Sequence, residues 1–433
     1  MHALKFSLSV LLLLVWCCVP VQYADHQQNG AYPRLETTDR TYYDYIKTVQ
    51  LYAPEGPMPL PVLNPAVAEL NNQQLILEFD VLQSNRDALS VRIVHCNHNW
   101  TPSALSNLDF LEAYNAFPIN DFVYSIDTSI PYIHYRTVLP PVKLPGNYVA
   151  VVFRNQNPDD VLLTRRFMVY ESRVHFRRQE NLLGPGTAAE LNQQLNFIIN
   201  YARTEIINPQ ESIHLTIRQN QRWDNIAQGL KPTFIREHQR EMEFRQFTAD
   251  NLYPSGNEFR FFDLRSLINP GVNVSHVDRN RQPWQVYLAT DQSRAGQRYA
   301  RYPDLNGQYV IANLDNPQPQ SAQYVNVRFT LRSPQLPGEV YLSGSFTDWR
   351  LAEPYRLVYE EAANQYYLDV LLKQGWYNYQ YVVRGEGISP NLLEGNHFET
   401  ENMYEILVYY RPFQPPADLL IGYYRLHMNH PDR

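Results

Sequence analysis

The sequence predicts a mostly β protein of tandem immunoglobulin-like β-sandwich domains, and three observations carry that expectation. Apolar residues alternate with polar ones at a period of two in many short runs, as half-buried strands require. Gly, Pro, Asn and Asp punctuate those runs at short intervals. Trp, Tyr and Phe reach 13% of the chain, with 32 tyrosines, more than a disordered chain would carry. At 433 residues two to three domains are expected rather than a single core.

In chain order, residues 1–24 read as a secretory signal. Lys5 precedes an unbroken apolar run from Val10 to Val15 that is too short to span a bilayer and ends near Trp16, Cys17, Cys18 and Pro20. Cleavage after Ala24 is favoured over lipidation at Cys17, because bulky Trp16 suits poorly the position before a lipidated cysteine. Cys96 is then the sole cysteine, so an exported chain without an internal disulfide must be held by its cores. Residues 25–45 are polar and irregular, and are expected to form a tether.

An N-terminal β-sandwich domain is expected over 46–171. Leu75, Leu77 and Phe79 alternate along one strand, and Val91, Ile93 and His95 along another; Tyr148 to Phe153 and Arg165 to Val169 repeat the pattern. Pro145-Gly146-Asn147 and Asn157-Pro158-Asp159-Asp160 are its turns, and the best helix candidate runs from Thr101-Pro102-Ser103 towards Tyr114. A middle β-rich domain, 172–312, opens with the interruption Leu183-Gly184-Pro185-Gly186 and carries strands around Ile213 to Ile217, Glu258 to Leu264 and Trp284 to Ala289. Residues 313–323, rich in Pro, Asn and Gln, are the best linker. The C-terminal sandwich, 324–412, shows alternation from Val325 to Leu331 and a hairpin from Tyr366–Leu372 through Lys373-Gln374-Gly375 into Trp376–Val383. Tyr377, Tyr379 and Tyr381 share one strand face there, first of all a sheet-packing signal. Residues 413–433 are expected to be a tail.

Charge narrows the function classes. The formal net charge is −7 and no Lys/Arg block interrupts it, which argues against nucleic acid. Only five of the 37 basic residues are Lys, so cationic side chains are expected to pack in order against aromatic rings.

Few motifs carry chemistry. His95, Cys96 and His98, with Trp100, could begin a zinc site, but no second cysteine or spaced histidine pair follows; a strand end with Trp100 buried and His95 hydrogen-bonded is preferred. Asp304-Leu305-Asn306-Gly307 looks like the start of a calcium loop without its closing Glu, and reads better as a turn. Ser343-Gly344-Ser345 lacks nucleophile-elbow spacing, and Glu360-Glu361 and Asp159-Asp160 fall in turns. No constellation argues for an enzyme or a cofactor, and no catalytic, cofactor or metal residue is assigned. Gly344 to Trp349 matches the G-x-F-x-x-W pattern of early-set immunoglobulin-like domains, including starch-binding modules, so the last sandwich resembles an early-set domain. Packing is the preferred role for Phe346 and Trp349.

Several segments together make the chain similar to the type IX secretion system plug protein family. They are Ile46 to Val49, Leu75 to Asp80, His95 to Trp100 with Pro102-Ser103, Tyr132 to Tyr135, Pro145 to Tyr148 and Arg165 to Val169; then Arg218 to Asn220, Asn257 to Asp263 and Asp304 to Gly307; and finally Gly344 to Trp349 and Leu372 to Tyr379. The resemblance implies a non-enzymatic periplasmic protein at the inner side of the outer membrane. It would dock on the periplasmic mouth of the secretion system's very large translocon barrel and close the pore when no substrate is engaged. It implies no nucleic acid, small-molecule substrate or cofactor, and attachment to the membrane only through the barrel. No short motif marks the contact surface, so its binding residues are left unknown. The alternative is an exported glycan-binding β-sandwich protein using Trp349 and Tyr377, Tyr379 and Tyr381.

Overall fold

Three β-sandwiches hold most strands of the computed structural model, which describes residues 35–56, 58–179, 191–245 and 252–429, and Asn192–Gln194 with Leu252–Pro254 forms a separate two-stranded ladder. The signal reading, the possible lipidation site at Cys17 and the interruption at Leu183-Gly184-Pro185-Gly186 lie outside the described residues.

The first sandwich forms as the alternation demands. One sheet runs in the order Arg40–Thr41, Val161–Tyr170, Gly146–Arg154, Leu89–Cys96, Phe117–Pro118, with Val67–Glu69 parallel to Val161–Tyr170. The facing sheet runs Ile46–Tyr52, Ile76–Val81, Ile133–Val138, Asp121–Tyr124. Leu77, Phe79 and Tyr135 from one side meet Val91, Ile93, Tyr148 and Phe167 from the other, all withdrawn from solvent. Arg40–Thr41 is antiparallel to Thr164 and Leu163, so two residues of the expected tether form a strand docked on the first sandwich. The expected helix after Thr101 is one turn, Asn107–Phe110, closed at its start by Ser106 and Asp109.

The second sandwich is assembled from both ends of the remaining chain. Its first sheet is His175–Arg178, Phe197–Asn200, Glu241–Phe244 and Phe234–Arg236. Its second is Ile226–Gln228, Ile213–Gln219, Asn402–Tyr410 and Leu419–Met428. The residues read as a tail thus hold a ten-residue strand, paired from Leu419 opposite Tyr410 to Met428 opposite Asn402. Ile217, Met242, Phe197, Ile406, Val408 and Ile421 form its core.

The third sandwich lies between these two contributions in sequence. Gly375–Arg384 is flanked by Arg260–Asp263, Tyr309–Ile311 and Glu339–Ser343. The opposing sheet runs Val274–Asp278, Gln285–Leu288, Tyr324–Arg332, Gln365–Lys373, Val358–Glu360. Strands from the expected middle domain therefore share a core with strands from the expected C-terminal domain: Phe262 and Val286 pack with Phe329, Tyr377 and Tyr381. The expected linker 313–323 is a loop inside this sandwich, with a turn at Pro319–Ser321. Asn402 Nδ2 donates to Ser255 O at 2.8 Å, so the two ends of the inserted sandwich adjoin.

The first two sandwiches are fused through sheet faces. Val149, Val151 and Met168 on the outer face of the first sandwich meet Leu407, Tyr409 and Leu420 of the second. Gly146–Arg154 and Asn402–Tyr410 are consequently buried on both faces. The described residues, which lie within 35–429, belong to one compact unit.

Candidate functional site

The sequence-predicted His95–Trp100 stretch ends the strand Leu89–Cys96 and turns into the seam between the first and second sandwiches. His95 is buried, its Nδ1 2.9 Å from Ser103 Oγ, and its ring lies edge-on to Tyr148. Burial lowers its pKa to about 4, so it is a neutral core residue at neutral pH. Cys96 is also buried, its thiol pushed up to about 12 by desolvation, which removes the thiolate needed for metal binding or nucleophilic attack. Trp100 adopts φ 65° and sits edge-on to Trp223 of the second sandwich at 4.8 Å. Arg166 covers both rings at 4.7 and 5.3 Å, and Arg218 covers Trp223 at 4.6 Å. This is the ordered Arg–aromatic packing expected from the composition. Arg218 is anchored in turn to buried Glu405, Nε to Oε2 at 2.6 Å. Burial opposes the Arg218 charge, but Glu405 outweighs it and raises the pKa.

His98 is the residue of this stretch that comes nearest to a metal site. Its Nδ1 lies 2.7 Å from Asp418 Oδ2, and its ring stacks on His214 at 4.2 Å with planes 7° apart. His98, His214 and Asp418 are close enough together to be tested as ligands. The geometry does not fit one ion: a ligand nitrogen directs its lone pair in its ring plane, and two nearly parallel planes do not converge on a shared point. Both Asp418 oxygens are also engaged, Oδ1 by Arg411 at 3.1 Å. Burial disfavours the Asp418 charge, yet the bonds from His98 and Arg411 hold it well below the usual carboxylate range. The trio is an interdomain clasp.

A second buried clasp joins the first sandwich to the third. Asp80 Oδ2 accepts from Lys373 Nζ at 2.7 Å and from Tyr324 Oη at 2.6 Å, while Oδ1 is 2.8 Å from His134 Nδ1. Lys373 also stands 4.0 Å over the Tyr132 ring. Desolvation works against the Asp80 charge, but Lys373 and His134 outweigh it and keep the carboxyl ionised. Nearby, Arg165 pairs with Asp348 at 3.0 Å, bringing the Gly344–Trp349 loop against the first sandwich. Arg222 of the second sandwich lies 4.6 Å over Trp349.

The aromatics weighed for glycan binding present no platform. Tyr377, Tyr379 and Tyr381 are buried, the first stacked on Tyr309 at 5.2 Å and the other two donating to Asp291 Oδ2 at 2.7 and 2.8 Å. Trp349 is 9% exposed and edge-on to Phe259. Gly307 lies beneath that indole with φ +80°, where a Cβ would fall 2.1 Å from a ring carbon. Asp304 closes a turn instead of a calcium loop, accepting from Phe259 N and from Asn306 N. Burial, with Glu258 nearby, pushes its pKa up to about 8, which disfavours the charged form a cation needs.

Comparison with known proteins follows this geometry. The family model described as "Type 9 secretion system plug protein 1st domain" matches residues 46–171. The chain belongs to the type IX secretion system plug protein family. A crystal structure of a hypothetical protein from Parabacteroides merdae ATCC 43184 is similar over 91% of this chain and 100% of that one, at 30% identity with a TM-score of 0.84. No curated protein matches. Membership ties the chain to type IX secretion, and the plug family is not a known enzyme family.

In this plug-family chain the sequence pointed to His95–Trp100 but missed the partners that give the stretch its role. His214, Trp223, Glu405 and Asp418 come from the second sandwich, at sequence distances that no local pattern spans. Asp80 and Lys373 were read only as parts of strand and turn patterns. An acidic residue near the end of a strand whose other face is apolar, and one of only five Lys in the chain, are the signals that mark them.

Proposed function

We propose that the protein closes the periplasmic end of the type IX outer-membrane translocon barrel when no substrate is engaged. The observation that carries this reading is the match of residues 46–171 to the first plug domain. The architecture supports it. An obstruction must cover a wide lumen without yielding, and three sandwiches joined by the ion pairs Asp80–Lys373 and Arg165–Asp348 and by Arg166 over Trp223 and Arg222 over Trp349 form such a body. Export by the signal read in residues 1–24 and residence at the inner side of the outer membrane belong to the same proposal. Among the described residues no helix is long and apolar enough to cross a membrane. Contact with the barrel then holds the protein there, and a second state of the barrel releases it on substrate loading.

The test is affinity purification of a C-terminally tagged copy from detergent-solubilised envelopes. A very large barrel subunit is expected to co-purify, and to be depleted when the barrel carries its substrate-delivery partner. Recovery of the tagged protein without any such barrel would overturn the proposal.

A further inference from the structure

A cavity of about 270 Å³ lies on the first sandwich, between the strand Leu89–Cys96, the loop that follows it and the turn at Pro158. Val91 and Ile93 belong to the core, so Arg92 between them leaves the strand on the opposite face, and it lines this cavity. Leu105, Phe110 and Pro158 supply apolar wall, and Tyr114, 87% exposed, marks the open side. The wall is held in place before anything binds. Asn115 Oδ1 accepts from Ile93 N at 2.8 Å, and its Nδ2 donates to Ile93 O at 2.7 Å and to Asn107 Oδ1 at 2.9 Å. Lys143 N donates to Phe110 O at 2.9 Å, which pins the one-turn helix Asn107–Phe110.

Arg92 stands apart from the other arginines of this sandwich. Arg154 is paired with Asp160 and Arg165 with Asp348, and Arg166 covers Trp100 and Trp223. Among the described residues no carboxylate forms an ion pair with Arg92 and no ring lies beneath it. Its Nε is buried without a hydrogen-bond partner, and its Nη2 makes a long contact to Pro158 O at 3.5 Å. Burial works against the Arg92 charge and lowers its pKa, and Asp159, too far for an ion pair, offsets only part of that. A half-buried guanidinium with donors to spare gains from any anion that reaches it.

We propose that this cavity binds a carboxylate carried on a short apolar stem, with Arg92 as its anchor. A guanidinium presents a planar fork that matches the two oxygens of a carboxylate. Arg92 is the only Lys or Arg that lines the cavity, so the charge available balances a monoanion and not the further charge of a phosphate. Leu105, Phe110 and Pro158 take up the stem. The volume lies just below the ~300–1,000 Å³ of pockets that hold larger ligands, which selects an acid about the size of one side chain. Two sources carry this chemistry: a free organic acid, and an acidic side chain or chain terminus of a partner protein. The site stands independently of the plug function proposed above.

The experiment titrates the purified full chain with 3-phenylpropionate, with the neutral 3-phenylpropionamide and with inorganic phosphate, followed by ligand-observed NMR. The acid is expected to bind saturably, at least tenfold more tightly than the amide, because the two differ only in the group that meets Arg92. Arg92→Gln should weaken the acid at least tenfold, and Arg92→Lys, which keeps the charge and loses the fork, should weaken it as well. Neither variant should lower the unfolding midpoint, since Arg92 has no ion pair to lose, so weaker binding is not a folding defect. Equal affinity for acid and amide, undiminished acid binding in Arg92→Gln, or no saturable binding of the acid at tens of millimolar would overturn the proposal. Phosphate that displaces the acid at equal concentration would overturn it too, by marking a general anion site. Pull-downs of wild type and Arg92→Gln from envelopes then separate the sources. A protein lost with Arg92→Gln carries the carboxylate itself, whereas an unchanged set of co-purifying proteins assigns it to a free acid, and both results uphold the site.

Discussion

His95 illustrates how a histidine that looks like a ligand serves as a core residue. Its pKa is about 4 in the fold, against about 6.5 when unfolded. The unfolded chain therefore binds more protons in that interval, so this residue costs nothing above about pH 6.5 and destabilises progressively as pH falls towards 4, by about 3 kcal/mol in total. Between pH 7.5 and 5 the wild type is expected to lose about 2 kcal/mol more than His95→Gln, which takes up no proton in that range. Urea midpoints at the two pH values measure the difference. Asp80 gives a second residue-level expectation. Asp80→Asn leaves the Lys373 ammonium buried without its counter-charge, at an expected cost of about 3–5 kcal/mol. Pairing it with Lys373→Met removes the stranded charge as well as its partner. The double variant should be more stable than Asp80→Asn alone, and equal or lower stability by denaturant unfolding would count against a buried ion pair.

Strands that alternate or sit beside a clear turn were legible as elements, the doubly buried Gly146–Arg154 and Gly375–Arg384 among them, but the last two strands of the second sandwich were not. Leu75–Phe79, Val91–Cys96 and Val325–Leu331 alternate because one side meets solvent or polar neighbours, and they are the strands Ile76–Val81, Leu89–Cys96 and Tyr324–Arg332. Asn402–Tyr410 and Leu419–Met428 lie between the core of the second sandwich and the seam with the first, so their apolar residues run on without a period. A sequence reading that leans on alternation takes such a stretch for a domain end and a tail. The linker reading failed for a related reason: Asn, Pro and Gln mark an irregular backbone, and an irregular loop inside a sandwich has the same composition as one between domains. These corrections have direct consequences. Deleting 413–433 should uncover Ile406 and Val408 and abolish cooperative folding of the second sandwich, seen as rapid amide exchange across 213–219; a dispensable tail would leave exchange there unchanged. Replacing 257–400 by a short Gly/Ser linker should leave the first two sandwiches folded, because Ser255 and Asn402 already touch. Proteolysis within 213–219 in that variant would contradict the insertion.

Taken as one body, the molecule spends its unusual chemistry on holding three sandwiches together. The residues that invited enzymatic or metal readings, His95, Cys96, His98 and Asp304, all lie in cores, clasps or turns. What the candidate site offers is mechanical: Asp80–Lys373, His98–Asp418 and the Trp100–Trp223 contact each bridge two sandwiches, so force on one sandwich is transmitted to the next. The most direct test of the plug function is the conductance of the purified translocon barrel in a planar bilayer before and after adding this protein to its periplasmic side. Saturable closure of the large conductance is expected, together with its reversal when the protein is displaced. A barrel that conducts equally with the protein bound would contradict the central claim.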